Sequence, residues 1–178
     1  MIRAAFAAPF AAAMLALAAA PAAAAPAPTP ESATRTAQGA GLSIEAVRAW
    51  LTANGGEVSE IRRQGGQTWI GVDEDEPLAW LIFFYDCQAD VCSNLQFTVP
   101  FSTPAITPAL VNDWNRNQRF LKAVFVPAEA GGGDATALGQ YDVLIAGGDV
   151  EQLVPHTALW LNLARAFGET VGYLAPAE

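Results

Sequence analysis

Apolar and polar residues follow two different periods along residues 42–176, and these periods predict three helices and six strands. Apolar residues three or four apart predict helices over residues 44–54, from Thr107-Pro108 onwards, and over about 150–168. Alternating or continuous apolar runs predict strands over residues 57–64, 67–72, 78–85, 94–101, 120–126 and 141–146. Expected N-caps are Ser43, Thr107 (with Pro108 in the first turn) and Asp149.

The predicted strand over residues 78–85 is apolar on both of its faces. Leu78, Trp80, Ile82 and Phe84 share one face, and Ala79, Leu81, Phe83 and Tyr85 share the other. Such a strand is typical of the centre of a sheet that is covered on both sides. We therefore expect helices on one face and a second cover on the other, either another subunit or the N-terminal tether.

The order of elements is helix, four strands, helix, two strands, helix. Short turns between neighbouring strands favour antiparallel pairing. The fold class predicted from this order is α+β, with helices packed on one face of an antiparallel sheet.

The N-terminus reads as a leader followed by a linker. Residues 1–24 combine Arg3, an apolar Ala-rich run and Ala22-Ala23-Ala24, as a signal peptide with a small-residue cleavage site does. Residues 25–41 are rich in Pro and Ala, which predicts a disordered tether before a domain over residues 42–176. We expect a periplasmic or secreted protein, without membrane insertion after leader removal.

The charge balance excludes some partner classes. The formal net charge is −9, and Lys122 is the only lysine. A chain without a basic patch does not neutralise phosphates, so we expect no nucleic acid partner. An anionic membrane surface would repel it as well.

Cys87 and Cys92 are the only cysteines, and they lie in a predicted loop between two strands. Behind a secretory leader they are expected to form a disulfide. Redox-active or free thiols and a metal site are the alternatives, although two thiolates without a nearby histidine make a poor zinc site.

The sequence contains no clear catalytic or metal-binding motif. His156 is the only histidine, and no Gly-x-Ser-x-Gly motif is present. The acidic run at residues 73–76 lacks the glycine and closing glutamate of an EF-hand. We therefore expect no enzyme activity, no metal and no cofactor.

The most conspicuous polar stretch is residues 111–120, with three Asn, two Arg and a Trp. If the helix extends through it, one face carries the polar side chains, and Trp114 lies on the apolar side. The candidate binding site is this polar face together with Trp114: Asn112, Trp114, Asn115, Arg116 and Arg119. It would grip a carboxylate or a backbone segment of a partner. Alternatively, these side chains satisfy the helix end and the neighbouring loop.

Several motifs together resemble the YbjN domain family over most of residues 42–170. They are the short Cys pair followed by Leu-Gln-Phe and a second Phe (residues 87–101), Val-Asn-Asp-Trp-Asn (111–115), Arg119-Phe120, and Asp142 with Gly147-Gly148. The family is described as regulators of sensory transduction, without an established activity. Its fold is similar to that of type III secretion chaperones. The resemblance therefore implies a helix-on-sheet domain and, since those chaperones often dimerise, a homodimer.

These observations predict an exported, non-enzymatic domain, chaperone-like or regulatory, that binds a protein or peptide through the polar stretch and the exposed face of the sheet. The alternative is a small-molecule-binding protein or small enzyme. That alternative predicts a cleft lined by Arg116 and Arg119 with carboxylates nearby.

Overall fold

The computed structural model describes residues 41–73 and 78–176. The predicted signal peptide, the linker up to residue 40 and most of the acidic run at residues 73–76 lie outside the described residues. The described strands form one eight-stranded sheet, accompanied by three α-helices.

The helices are α1 (Ile44–Ala53), α2 (Pro108–Asn117) and α3 (Leu153–Thr170). The strands are β1 (Leu42–Ser43), β2 (Glu57–Val58), β3 (Arg62–Gln64), β4 (Gln67–Asp73), β5 (Ala79–Gln88), β6 (Val91–Ser102), β7 (Lys122–Val126) and β8 (Thr136–Leu144). The main sheet order is β2-β4-β5-β6-β8-β7; β3 also pairs with β4, and β1 with β6. Every pairing is antiparallel, so the predicted α+β class is confirmed.

The predicted strand over residues 57–64 is divided into β2 and β3, because Ser59 interrupts the regular pairing with β4. The Ser59 N–H donates to the Gly71 carbonyl at 2.9 Å, and the Gly71 N–H donates to Ser59 Oγ at 2.8 Å. A side-chain hydroxyl thus replaces a backbone carbonyl, and the edge strand bends at this residue.

The last strand, β8, begins at Thr136 rather than at the predicted Tyr141. It pairs with β6 from Ser102↔Thr136 to Asn94↔Leu144. The apolar alternation over this segment is weak because Gly139 occupies a buried position. A Cβ there would lie 3.0 Å from Phe167 Cδ1, so the glycine allows α3 to approach the sheet closely.

The β5–β6 hairpin is also longer than predicted, so Cys87 and Cys92 lie opposite each other within the strands and not in a loop. A two-residue turn at Ala89 and Asp90 connects the strands, and both residues have positive φ (48° and 65°). The predicted disulfide is confirmed, with the two Cα atoms 3.9 Å apart.

One face of the sheet, here called the inner face, carries the core. Its buried side chains are Ile70, Val72, Trp80, Ile82, Phe84, Leu95, Phe97, Val99, Phe101, Ala137, Tyr141 and Val143. Trp160 of α3 contacts Trp80 and Phe97, with ring centroids 5.7 and 5.8 Å apart. The expected helical cover of the strand over residues 78–85 is therefore present on one face.

Two of the three expected helix starts are found, whereas α3 begins at Leu153 without a side-chain cap. Ser43 Oγ accepts the Ala46 N–H at 3.1 Å, and Thr107 Oγ1 accepts the Leu110 N–H at 3.2 Å. Asp149 caps a short 3₁₀ turn over residues 150–152 that precedes α3. None of the helices within the described ranges is long and apolar enough to cross a membrane.

Candidate functional site

The predicted polar stretch forms the joint between α2 and β7, and two of its side chains bond across the joint to the backbone of residues 121–123. Trp114 is buried; its Nε1–H donates to the Leu121 carbonyl at 3.1 Å, and its ring centroid lies 4.8 Å from that of Phe167. Asn115 Nδ2 donates to the Ala123 carbonyl at 2.9 Å, while the Ala123 N–H donates to Asn115 Oδ1 at 2.8 Å. Both side chains hold the start of β7 against α2.

Asn115 also covers part of a sheet edge. β7 pairs only with β8, so its other side is an edge of the sheet. In an antiparallel strand, alternate residues turn their N–H and C=O groups towards the neighbouring strand. The Ala123 N–H and C=O groups bond to the Asn115 side chain on the edge side of β7. The backbone groups of Ala123 and Phe125 therefore point towards the edge. The Asn115 side chain thus takes up the backbone groups of Ala123, with which a strand of another molecule could otherwise pair.

The charged residues of the joint are exposed. Arg116 Nη2 lies 2.8 Å from Asp113 Oδ1, and the Arg119 guanidinium lies 5.2 Å from the centroid of the Phe120 ring. Arg119 does not share a helical face with the Asn residues, because α2 ends at Asn117 and the backbone at Gln118 is extended.

Asn112 is exposed. At the C-terminal end of α2, the Lys122 ammonium donates to the Asn115 carbonyl at 2.8 Å. A binding role for Asn112, Trp114, Asn115, Arg116 and Arg119 stays a prediction.

The opposite side of the sheet, here called the outer face, is largely exposed or half-buried. It carries Trp69, Ala79, Leu81, Phe83, Tyr85, Asn94, Gln96, Thr98, Pro100, Lys122, Val124, Leu138, Gln140, Asp142 and Leu144. Leu144 is 78% exposed, and Trp69 pairs with Phe83 at 6.0 Å between ring centroids. The second cover that was expected for the strand over residues 78–85 is not among the described residues.

A hollow of about 270 Å³ lies in the outer face, where β4, β5, β6 and β8 meet. Its lining residues are Gln67, Leu81, Phe83, Tyr85, Gln96, Thr98, Pro100, Leu138 and Gln140. None of these side chains carries a charge at neutral pH. Neither Arg116 nor Arg119 lines this hollow.

Two glutamines in the floor of the hollow form a ladder that ends on a carboxylate. Gln96 Nε2 donates to Asp142 Oδ1 at 2.9 Å, and Gln140 Nε2 donates to Gln96 Oε1 at 3.0 Å. The ionised Asp142 only accepts, so it fixes the direction of the ladder. Gln140 Oε1 is left without a hydrogen-bond partner among the described residues.

Thr98 lies in the central strand of this hollow and directly opposite Gln140. It is 4% exposed, and its Oγ1 has no hydrogen-bond partner within the described residues. A buried hydroxyl without a partner costs free energy. The sequence predicted the exposed sheet face as a surface but not these residues, because their contact depends on the register that places Gln96, Thr98 and Gln140 side by side.

His156, the only histidine, has a local contact on the inner face. The Tyr141 hydroxyl and His156 Nδ1 lie 2.7 Å apart, and burial raises the pKa of Tyr141 above its usual value. Within residues 41–73 and 78–176, no group of three His, Cys, Asp or Glu side chains is placed to hold a metal ion.

Comparison with known proteins identifies a similar solved structure and a matching family. A crystal structure described as "YbjN, a putative transcription regulator from E. coli" is 14% identical, covers 72% of this chain and 88% of its own, and has a TM-score of 0.46. No curated protein matches the chain. The sequence profile of the YbjN family, described as "Putative bacterial sensory transduction regulator", matches residues 43–172, most of the chain. The chain therefore belongs to the YbjN family, as its motifs predict.

Proposed function

We propose that this chain is an exported, non-enzymatic binding domain, regulatory or chaperone-like, whose outer face holds an extended segment of a partner protein. The observation that carries the proposal is the outer face itself. It combines exposed or half-buried apolar side chains with uncharged amides around a hollow. Exposed apolar patches with a polar rim are typical of interaction surfaces.

The surface composition favours a segment of another protein over a second copy of the chain. With a formal net charge of −9, two copies would repel each other at long range. The hollow offers glutamine and threonine groups that suit the backbone and side chains of an extended segment, and its walls suit apolar residues.

Two features support export. Residues 1–24 have the composition of a signal peptide. The bond between Cys87 and Cys92 is of the kind that persists in oxidising compartments such as the periplasm. A mature chain that begins after Ala24 and whose mass is two hydrogens below the reduced value is the expected product.

The alternative, a small-molecule site or small enzyme beside Arg116 and Arg119, has less support. Its cleft would be lined by these arginines, whereas the hollow lies in the outer face and both guanidinium groups are exposed. We therefore assign the binding role to the outer face.

Site-specific photocrosslinking in the native host tests the proposal. The chain offers three exposed aromatic residues as matched positions for a photoreactive phenylalanine: Tyr85 on the outer face, Phe120 at the joint and Tyr173 after α3. We expect one discrete partner protein, identified by mass spectrometry, to crosslink from Tyr85 and not from Tyr173.

The other outcomes overturn the proposal in recognisable ways. Crosslinking from Phe120 alone would move the interface to the joint. An adduct of twice the mass of the chain would make a second copy the occupant. Equal crosslinking from Tyr85 and Tyr173 would show that the outer face has no specific partner.

A further inference from the structure

We propose that the hollow of the outer face is a subsite for an arginine side chain of the bound segment. This inference rests on the proposed function and names the chemistry that the partner presents. It follows from the direction of the glutamine ladder, from the walls of the hollow and from the charges around it.

The ladder ends at an electron-rich oxygen of Gln140, a residue that lines the hollow. Asp142 accepts from Gln96, and Gln96 in turn accepts from Gln140, so one N–H of each glutamine amide is already engaged. A chain of hydrogen bonds that starts on a carboxylate polarises each amide along it. The free Gln140 Oε1 at its end is therefore a strong acceptor that favours a charged N–H donor.

The walls suit the remainder of an arginine side chain. Leu81, Pro100 and Leu138 are apolar and match the methylene groups, while Phe83 and Tyr85 offer aromatic rings. A guanidinium group stacks on aromatic faces and donates in its plane at the same time, which an ammonium group does less well.

The size of the hollow fits one long side chain better than a cofactor. Its volume of about 270 Å³ lies below the range of roughly 300–1,000 Å³ that is usual for sites of drug-sized ligands. A single side chain inserted from an extended segment would fill such a space and leave the segment on the surrounding face.

The charges on the outer face also favour a cation. Asp142 is one hydrogen bond away from the lining residue Gln96, and the chain as a whole is acidic. Of the cations on this face, Lys122 lies directly opposite Gln140, but its ammonium donates to the Asn115 and Gln118 carbonyls at the C-terminal end of α2. Arg62, opposite Trp69, is three strands from Gln96, or about 14 Å at a strand spacing of about 4.8 Å, beyond the Debye length.

Titration of the isotope-labelled mature protein with small probes, followed by NMR, tests this assignment. The probes are N-acetyl-arginine methylamide, its uncharged isostere N-acetyl-citrulline methylamide, and N-acetyl-glutamate methylamide. We expect the arginine probe to shift the side-chain amides of Gln96 and Gln140 and the methyl groups of Leu81 and Leu138. A Kd in the millimolar range is expected for so small a ligand. The citrulline probe should bind several-fold more weakly and the glutamate probe not at all.

Two variants locate the interaction. Gln140→Leu removes the acceptor and should weaken binding of the arginine probe at least about tenfold, as expected for a hydrogen bond to a charged group. Asp142→Asn keeps a side-chain oxygen but removes the charge, and should weaken binding about two- to fivefold. Asp134→Asn, an exposed site before β8, makes the same change in net charge and should leave the Kd unchanged.

Equal binding of the arginine and citrulline probes, an unchanged Kd in Gln140→Leu, or no shifts with the arginine probe would each overturn the assignment. Proper folding of the variants is checked by the dispersion of their backbone spectra. If Tyr85 still crosslinks a partner when the arginine probe fails to bind, only this inference falls. If the probe binds and no partner crosslinks, the proposed function falls instead.

Discussion

The two faces of the sheet are built from the same strands and serve different purposes. Phe97 and Thr98 are neighbours in β6, yet Phe97 lies in an aromatic cluster with Trp80 and Trp160, while Thr98 lies in the hollow of the outer face. The inner face buries large apolar side chains against helices. The outer face leaves apolar side chains exposed and places uncharged polar groups between them, which is the composition of an interaction surface.

The residues that stand out in the sequence are not the ones that line the candidate site on the outer face. The stretch over residues 111–120 stands out in the sequence, but Trp114 and Asn115 support the inner core and the β7 edge. Gln96, Thr98 and Gln140 are inconspicuous in the sequence, and the strand pairing alone brings them together. Polar residues that stabilise a joint therefore stand out in a sequence as strongly as residues that line a site.

The largest expected effect lies on the inner side. Trp114→Ala should lower the free energy of unfolding by about 3–5 kcal/mol, because it removes a buried ring that packs on Phe167. The Leu121 carbonyl also loses its donor. Urea denaturation followed by circular dichroism measures the change, and the slope of the transition should stay the same.

Phe120→Ala is the matched control in the same stretch. Phe120 is 48% exposed and contacts the Arg119 guanidinium, so its loss should change the free energy of unfolding by less than about 0.5 kcal/mol. Equal losses in both variants would mean that the joint does not divide into a buried and an exposed side. An unchanged midpoint for Trp114→Ala would make Trp114 a surface anchor.

Much of the fold could be predicted from periodicity and caps. The three helices, the antiparallel sheet and the buried side of the strand over residues 78–85 follow from local patterns. The division at Ser59 could not be predicted, because it depends on a hydroxyl that bonds across to Gly71. The early start of β8 was missed because Gly139 has no side chain to continue the alternation.

The candidate site was less predictable, because it too depends on contacts between strands that are distant in sequence. The outer position of Gln96 and Thr98 follows from alternation within one strand. Their contact with Gln140 depends on a pairing between residues about 44 apart in sequence, which no local pattern specifies. For Arg119 a local pattern was instead extended too far, because α2 ends at Asn117 and the backbone at Gln118 is extended.

An intermediate effect is expected for the residue that covers the β7 edge. Asn115→Ala should lower the free energy of unfolding by about 1–3 kcal/mol, because the Ala123 N–H and C=O lose their side-chain partners. The uncovered edge should also associate, which analytical ultracentrifugation at increasing concentration would detect. The exposed Asn112 provides the control: Asn112→Ala should change neither property, and similar behaviour of the two variants would contradict the edge-covering role.

The smallest effect on stability, together with a clear effect on binding, is expected on the outer face. Leu144 is 78% exposed, so Leu144→Ser should change the free energy of unfolding by less than about 0.5 kcal/mol. Leu144 lies in one row across the sheet with Asn94 and Tyr85. The substitution should therefore reduce partner crosslinking from Tyr85. A loss of stability without a loss of crosslinking would reverse the roles assigned to the two faces. The predicted combination would show that these apolar side chains stay exposed because a partner, and not the fold, requires them.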